Sequence, residues 1–388
     1  MSPSEHHGSR LELLGRFFRL SSAFRLVETG DLTQPENRLL GDLCDAADIA
    51  AVLIPQTAAL SAKAICRPAM RLLESFRIPS VLSSELLELC SGDTNLLLRL
   101  VLDSVLEIEH DGRFVTGAAA SGFLKLDIAQ EEHSRVLQVS LDALRYGEEL
   151  AIDDAPELSE RLYSYNRIPI SPYWARKFNT PESVDAWCGL APGTTLGARL
   201  DLRWEPCPPA PNNPGWRHFH SREHYAGESP FKLYVSSRPE LLPEVLAGVE
   251  PVFHEHAVAA FKVGADVSNI LRPDNLVAYM GTKGQLLQTA NKLADRLRGI
   301  PARVVPFAGP LDADGLLSWG MDPPREEHVA KWQGVSWRRW ITDRLAVALI
   351  AARVAGAPSP SRFALLRLSL EGIDVRSWTP NAVSWARS

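Results

Sequence analysis

Two lysines and an arginine stand in or beside apolar, strand-like stretches: Lys232 in "FKLYV", Lys262 in "FKVG" thirty residues later, and Arg272 in the loop that follows. Side chains alternate across a strand, so Lys232 and Tyr234 share one face while Phe231, Leu233 and Val235 take the other. A single lysine on a strand face is ordinarily a solvent-exposed residue. Three cations recurring in the strand-rich part of one chain, with Tyr279 closing the next strand, are a candidate anion site. Arg272 offers a planar fork matched to phosphate, and the lysines act as point charges. Clustered positive charge also disfavours the ammonium form and makes one lysine a usable base near neutral pH. If the cations converge, they suit removal of phosphate from phosphoserine or phosphothreonine: a base takes the α-proton and cations hold the leaving group, with no metal and no cofactor.

The chain around them has 388 residues, 45% apolar side chains and a formal net charge of -6. That is enough for one large domain or two ordinary ones. The acidic balance argues against a general nucleic-acid binder and makes any basic site local. The N-terminus shows no charged start followed by an apolar run, and "LAVALIAARVAGA" is too short to span a bilayer, so a soluble, cytoplasmic protein without membrane attachment is expected. Five scattered cysteines, Cys44, Cys66, Cys90, Cys188 and Cys207, form no C-x-x-C pair and read as reduced, buried thiols. No P-loop, G-x-S-x-G or kinase glycine loop occurs.

An α+β fold is expected, with a mixed or antiparallel sheet flanked by helices and a mainly helical N-terminal region. Residues 1–145 carry helical spacing in "LELLGRFFRL", "NRLLGDLCDAADIAAVLI" and "SELLELCSGDTNLLLRLVLDSVL", then a β-hairpin centred on Asp111-Gly112, together a winged-helix-like arrangement. Residues 146–388 form the second unit. Its expected elements are strands 231–236, 258–263, 275–280 and 302–307, helices 239–248 and 284–298, a helix in "VSWRRWITDRLAVALIAARVAG" and a closing strand in "SRFALLRLSL". The proline cluster "EPCPPAPNNPGW" reads as a loop. "LYSYNRIPISPYWARKF", with Tyr163, Trp174, Arg176 and Lys177, is either a peptide seat or an irregular cover for the core.

"FKLYVSSRPELLPEVLAG", "FKVGADVSNILRPDNLVAYM" and "PARVVPFAGPLDADGLLSWGMDPP" resemble the Hop-effector-like proteins of lanthipeptide and thioamitide pathways. More distantly, residues 160–325 are similar to phosphothreonine lyases and to the lyase domain of class III lanthionine synthetases. The resemblance implies a lyase that eliminates phosphate from phosphoserine or phosphothreonine of a ribosomally made precursor peptide. The product is dehydroalanine or dehydrobutyrine, and an aminoglycoside-phosphotransferase-like kinase is the partner. It also implies roles: Lys262 as base, Lys232 and Arg272 on phosphate, and Tyr279 as a further site residue. Tyr234 stands where the distant relatives carry an acid histidine. The acid is therefore either Tyr234 or a histidine of "WRHFHSREHY", His220 among them. Trp319 precedes Gly320 where class III lyase domains show arginine, which leaves Arg303 or Arg325 as replacements.

Two other readings remain open from the residues alone. One is a non-catalytic phosphopeptide-binding subunit of the kinase. The other is a type III effector acting on host phosphoproteins. The histidines His218, His220 and His224, with His254 and His256, also raise metal binding. The alternative for that segment is a polar active-site flap whose histidine supplies the acid, and on that reading no metal is expected.

Overall fold

The computed structural model describes residues 13–38, 49–56, 62–89, 94–122, 134–208, 214–224, 227–323 and 335–381. Cys44, Cys90 and Arg325 lie outside the described residues.

The N-terminal region is built chiefly on strands, which corrects the expectation of a mainly helical one. Strands β1 (Phe17–Leu20), β2 (Phe24–Glu28), β3 (Ile49–Pro55), β4 (Lys63–Cys66), β5 (Ser80–Val81), β6 (Leu106–His110) and β7 (Arg113–Val115) form two antiparallel sheets, β5-β1-β6-β7 and β2-β3-β4. The misleading segment is "IAAVLIP". Val52 and Leu53 are both fully buried although they point to opposite faces, so β3 is apolar throughout and lacks the period of two that marks a half-exposed strand. Helices Arg67–Ser75, Ser84–Leu89 and Thr94–Leu102 pack beside these sheets around Phe18, Leu72, Phe76 and Leu97. The expected β6–β7 hairpin is present. Asp111 and Gly112 take φ of +50° and +73°, the positive pair that a two-residue turn between right-twisted strands requires. Helix Arg135–Glu149 then runs unbroken across residue 145.

The central element is one antiparallel sheet of seven strands. It contains β8 (Trp204–Cys207), β9 (Trp216–Ser221), β10 (Phe231–Val235), β11 (Ala260–Gly264), β12 (Leu276–Met280), β13 (Gly309–Pro310) and β14 (Leu317–Met321), in the order β13-β14-β10-β12-β11-β9-β8. Part of the proline cluster read as a loop is thus strand β8, and Pro206 is tolerated there because β8 is the sheet's edge. Residues 302–307 form no strand. Val304 and Phe307 have φ of +69° and +59°, which breaks extended geometry, and only Ala302 bridges to Ser237.

The two faces of this sheet have different partners. One face, with Leu233, Val235, Phe261, Val263 and Leu276, packs on helices Leu242–Glu255 and Lys283–Arg296 and on the shorter helices of residues 172–203. The opposite face carries Lys232, Tyr234, Lys262, Val277 and Tyr279 and meets helix Trp337–Val354 at its N-terminal turn. That helix belongs to a second core with Arg135–Glu149, Ala155–Tyr163 and Pro360–Leu370. The closing strand expected in "SRFALLRLSL" is this last helix: Ser359 caps it and Pro360 opens it, and its Leu pairs fit a helical face as well as a strand. A short ladder joins β15 (Ile373–Asp374) to β16 (Thr379–Pro380). Among the described residues no helix is long and apolar enough to cross a membrane.

Candidate functional site

Strand register brings the sequence's candidates together. Lys232 lies opposite Tyr279 and Tyr234 opposite Val277 across β10 and β12, while Lys262 lies opposite Val277 across β11 and β12. Directly paired residues share a face, so all of them point the same way. They line a pocket of about 120 Å³ together with Tyr163, Trp216, Arg272, Asp274, Ser336 and Arg338. That is room for one tetrahedral anion and the carbon that bears it.

The three cations are held differently. Lys232 makes an ion pair with Asp322, a carboxylate that is 48% exposed at the rim. Arg272 is locked: Nε donates to Asp274 Oδ1 at 2.8 Å, and one terminal nitrogen reaches both Asp274 Oδ2 at 2.9 Å and the Tyr163 hydroxyl at 2.7 Å. Lys262 has no hydrogen bond or ion pair among the described residues; its ammonium sits 4.2 Å from the Trp216 ring centroid.

This arrangement separates their proton affinities. Burial pushes the Lys262 ammonium down to about 8. The Arg272 and Lys232 charges push the same way, and Asp274 opposes them. Burial would raise Asp274, but Arg272 and Arg338 outweigh it and hold the carboxyl well below the usual range. For Arg272 the order is the same: burial works against the charge, and Asp274 more than restores it. A permanently charged arginine thus stands beside a lysine poised to lose its proton near neutrality.

Four lining residues extend the set of strand cations. Asp274 stands two residues after Arg272, a spacing visible in "RPD" that gains meaning only when the loop folds back. Arg338 is 1% exposed and donates to Asp274 Oδ2 at 2.8 Å, to the Pro306 carbonyl at 3.0 Å and to the Tyr163 carbonyl at 2.8 Å. Nothing local in "SWRRW" marks it out; its partners are 32 to 175 residues away in sequence. Tyr163, from the segment read as either peptide seat or core cover, faces the pocket, whereas Trp174 is buried against Phe178 in the core. Trp216 forms the wall beneath Lys262 and Arg272.

The acid candidates are dispersed. Tyr234 and Tyr279 both line the pocket, and burial pushes both phenols upward, Tyr234 the more enclosed of the two. His220 lies on β9 with its side chain exposed, outside the residues that line the pocket. His218, paired opposite Lys262, is half-buried, and burial together with the Lys262 charge lowers its proton affinity. Arg303 does not stand in for the missing arginine. It donates to the Leu271 and Asn166 carbonyls and braces the 302–307 segment instead.

No protein-family model matches the sequence, and no curated protein matches it. Among solved structures, the effector protein from Pseudomonas syringae pv. tomato strain DC3000 aligns at 13% identity and a TM-score of 0.39, covering 63% of this chain and 98% of that one. The effector protein from Pseudomonas syringae pv. syringae strain 61 aligns at 14% identity and 0.38, covering 64% and 98%. The type III effector and phosphothreonine lyase OspF from Shigella flexneri aligns at 12% identity and 0.26, covering 47% and 88%.

Proposed function

We propose that the protein is a lyase that eliminates phosphate from phosphoserine or phosphothreonine in a peptide. The observation that carries this reading is the convergence of Lys232, Lys262 and Arg272 on one small pocket, with Lys262 alone among them unpaired and depressed to about 8. The phosphate exchanges its water shell for Arg272 and Lys232. Lys262 Nζ takes the α-proton, the C–H electrons form the Cα=Cβ bond, and the Cβ–O bond breaks with its electron pair leaving on phosphate. The products are dehydroalanine or dehydrobutyrine and inorganic phosphate, and Lys262 returns its proton to solvent. Tyr234 and Tyr279, which both line the pocket, donate hydrogen bonds to the leaving oxygens in this reading. The peptide, in this reading, is a ribosomally made precursor phosphorylated by a separate aminoglycoside-phosphotransferase-like kinase, as the sequence resemblance implies.

One observation favours a second reading. Among the described residues no imidazole lines the pocket, which suits a subunit that binds the phosphopeptide without cleaving it. Mass spectrometry of synthetic phosphoserine and phosphothreonine peptides incubated with the protein separates the two. Loss of phosphoric acid, abolished by Lys262→Ala, is the expected result. Binding without mass loss, even with the kinase supplied, leaves the binding subunit.

A further inference from the structure

Away from the phosphate pocket, three metal-capable side chains converge from two separately braced elements. Glu223 and His224 leave the end of β9, and His254 occupies the last turn of helix Leu242–Glu255. One ligand atom from each lies within 4.8 Å of the other two, and Glu223 Oε2 is 3.9 Å from His224 Nε2. The two imidazole rings have centroids 6.2 Å apart. None of the three lines the phosphate pocket.

Each arm is held by its own hydrogen bonds. Ser221 Oγ accepts the backbone N–H groups of Glu223 and His224 at 3.3 and 3.1 Å, and Ser221 N–H donates to the Ala259 carbonyl at 2.8 Å. On the other side, Gln285 Nε2 donates to the His256 and Ala257 carbonyls at 2.9 and 2.8 Å and closes the end of the helix. That helix end presents the negative pole of its dipole, which favours a cation there. Side chains with two braced backbones and half-exposed tips can adjust without moving the fold.

We propose that Glu223, His224 and His254 form a divalent transition-metal site, with zinc as its ion. Two imidazoles and a carboxylate are a zinc donor set that leaves one position for water. Zinc ligands at about 2.0–2.2 Å stand roughly 3.4 Å apart in a tetrahedron, so side-chain rotation has to close the cluster by up to about 1.4 Å. Bound there, the ion ties the end of β9 to the C-terminus of the helix that backs the sheet.

The test uses the full chain, purified without an affinity tag and stripped of metal. Zinc is titrated in competition with a chromophoric chelator, and Co²⁺ is added separately as a spectroscopic probe. The expected result is one zinc per chain, strong visible absorption from four-coordinate cobalt, and a melting temperature raised by zinc. His254→Ala and His224→Ala each weaken zinc by at least about tenfold and abolish the thermal shift. His110→Ala, a surface histidine beside Asp111, binds zinc as the parent does. Less than one zinc per chain in the parent, ligand variants that bind zinc as tightly as the parent, or only the weak absorption of octahedral cobalt overturns the proposal. Because the readouts are binding and melting, they do not depend on phosphate elimination.

Discussion

Arg338 and Arg272 share the carboxylate of Asp274: Arg338 reaches Oδ2 at 2.8 Å, the oxygen that one Arg272 nitrogen also meets at 2.9 Å. A residue on the helix that follows the sheet therefore sets the position of an arginine that precedes β12. With Arg338 1% and Asp274 7% exposed, the pair is too buried for either charge to be left alone. The triad both orients the Arg272 fork and places one negative charge near Lys262, where it keeps the ammonium from falling further.

Asp274→Asn separates these effects. Removing the anion withdraws the one neighbour that favours the Lys262 ammonium, so the lysine's pKa falls below about 8 and the pH dependence of elimination shifts to lower pH. The same change leaves two buried guanidinium groups uncompensated, a loss of about 3–5 kcal/mol by urea unfolding. A stable variant with an unshifted pH profile contradicts the assigned electrostatics.

The pH profile of the parent follows from Lys262. In the proposed elimination the neutral amine is the base, so kcat/KM is expected to rise with pH, about tenfold per unit below the midpoint, and to level off above about 8. A bound phosphate dianion stabilises the ammonium, so the midpoint of kcat lies above that of kcat/KM. Lys262→Ala removes about 10²- to 10⁴-fold in rate, the range typical of a positioned general base, while phosphopeptide affinity changes little. A profile that falls through pH 8 assigns Lys262 to a role that requires its charge.

How far the sequence alone carries depended on the kind of strand. β10, β11 and β12 were legible because each interrupts an apolar run with a charged or aromatic residue on one face, which fixes both period and orientation. Lys232, Lys262, Tyr234 and Tyr279 meet in the pocket for the same reason, and Arg272 joins them from the loop before β12. β3 was not legible, since burial on both faces erases the alternation, and the helix Pro360–Leu370 hid behind apolar residues that fit either period. Arg338 and Tyr163 were invisible as partners because the contacts joining them to Asp274 and Arg272 cross 64 and 109 residues of chain. Local patterning finds which residues share a strand face; it carries no signal for what a distant helix lays over them.

Asp322 offers a way to test whether phosphate must compete for Lys232. The ion pair between them sits at the rim, with the carboxylate half exposed and the lysine mostly enclosed. Asp322→Asn frees the ammonium and is expected to tighten phosphopeptide binding several-fold, within the roughly 0–1 kcal/mol of a solvent-screened pair. Lys232→Met weakens it by tenfold or more, the scale of a lost hydrogen bond to a charged group at about 1.5–3 kcal/mol. Equal binding in both variants places the phosphate away from Lys232.

Stability of the strand that carries Lys262 depends on the residue that ends it. A Cβ on Gly264 would lie 2.7 Å from the backbone carbon of Asn269 and the backbone nitrogen of Ile270, atoms of the short helix Val267–Ile270 that have no freedom to withdraw. Gly264→Ala is expected to cost about 1–3 kcal/mol in chemical unfolding. Gly284→Ala, on an open helix face where the nearest atom is 4.0 Å away, serves as the neutral control.

The leaving-group donor can be assigned by comparing Tyr234→Phe with His220→Ala. Tyr234 is inside the pocket, 3% exposed, and its burial-raised phenol stays protonated across the working pH range, so it supplies a hydrogen bond rather than a freely dissociating proton. Losing one donor aimed at developing charge costs about 10²- to 10³-fold in kcat at the upper end, and Tyr234→Phe removes the hydroxyl without disturbing the ring's packing against Val277 and Val305. His220 is exposed on β9 outside the lining, so His220→Ala is expected to stay within about twofold of the parent. In the proposed reaction Arg272 and Lys232 neutralise the leaving phosphate, so a hydrogen bond suffices and no group has to titrate near pH 6. An acid limb near pH 6 that disappears in His220→Ala, with Tyr234→Phe fully active, reverses the assignment and makes the β9 histidine the donor.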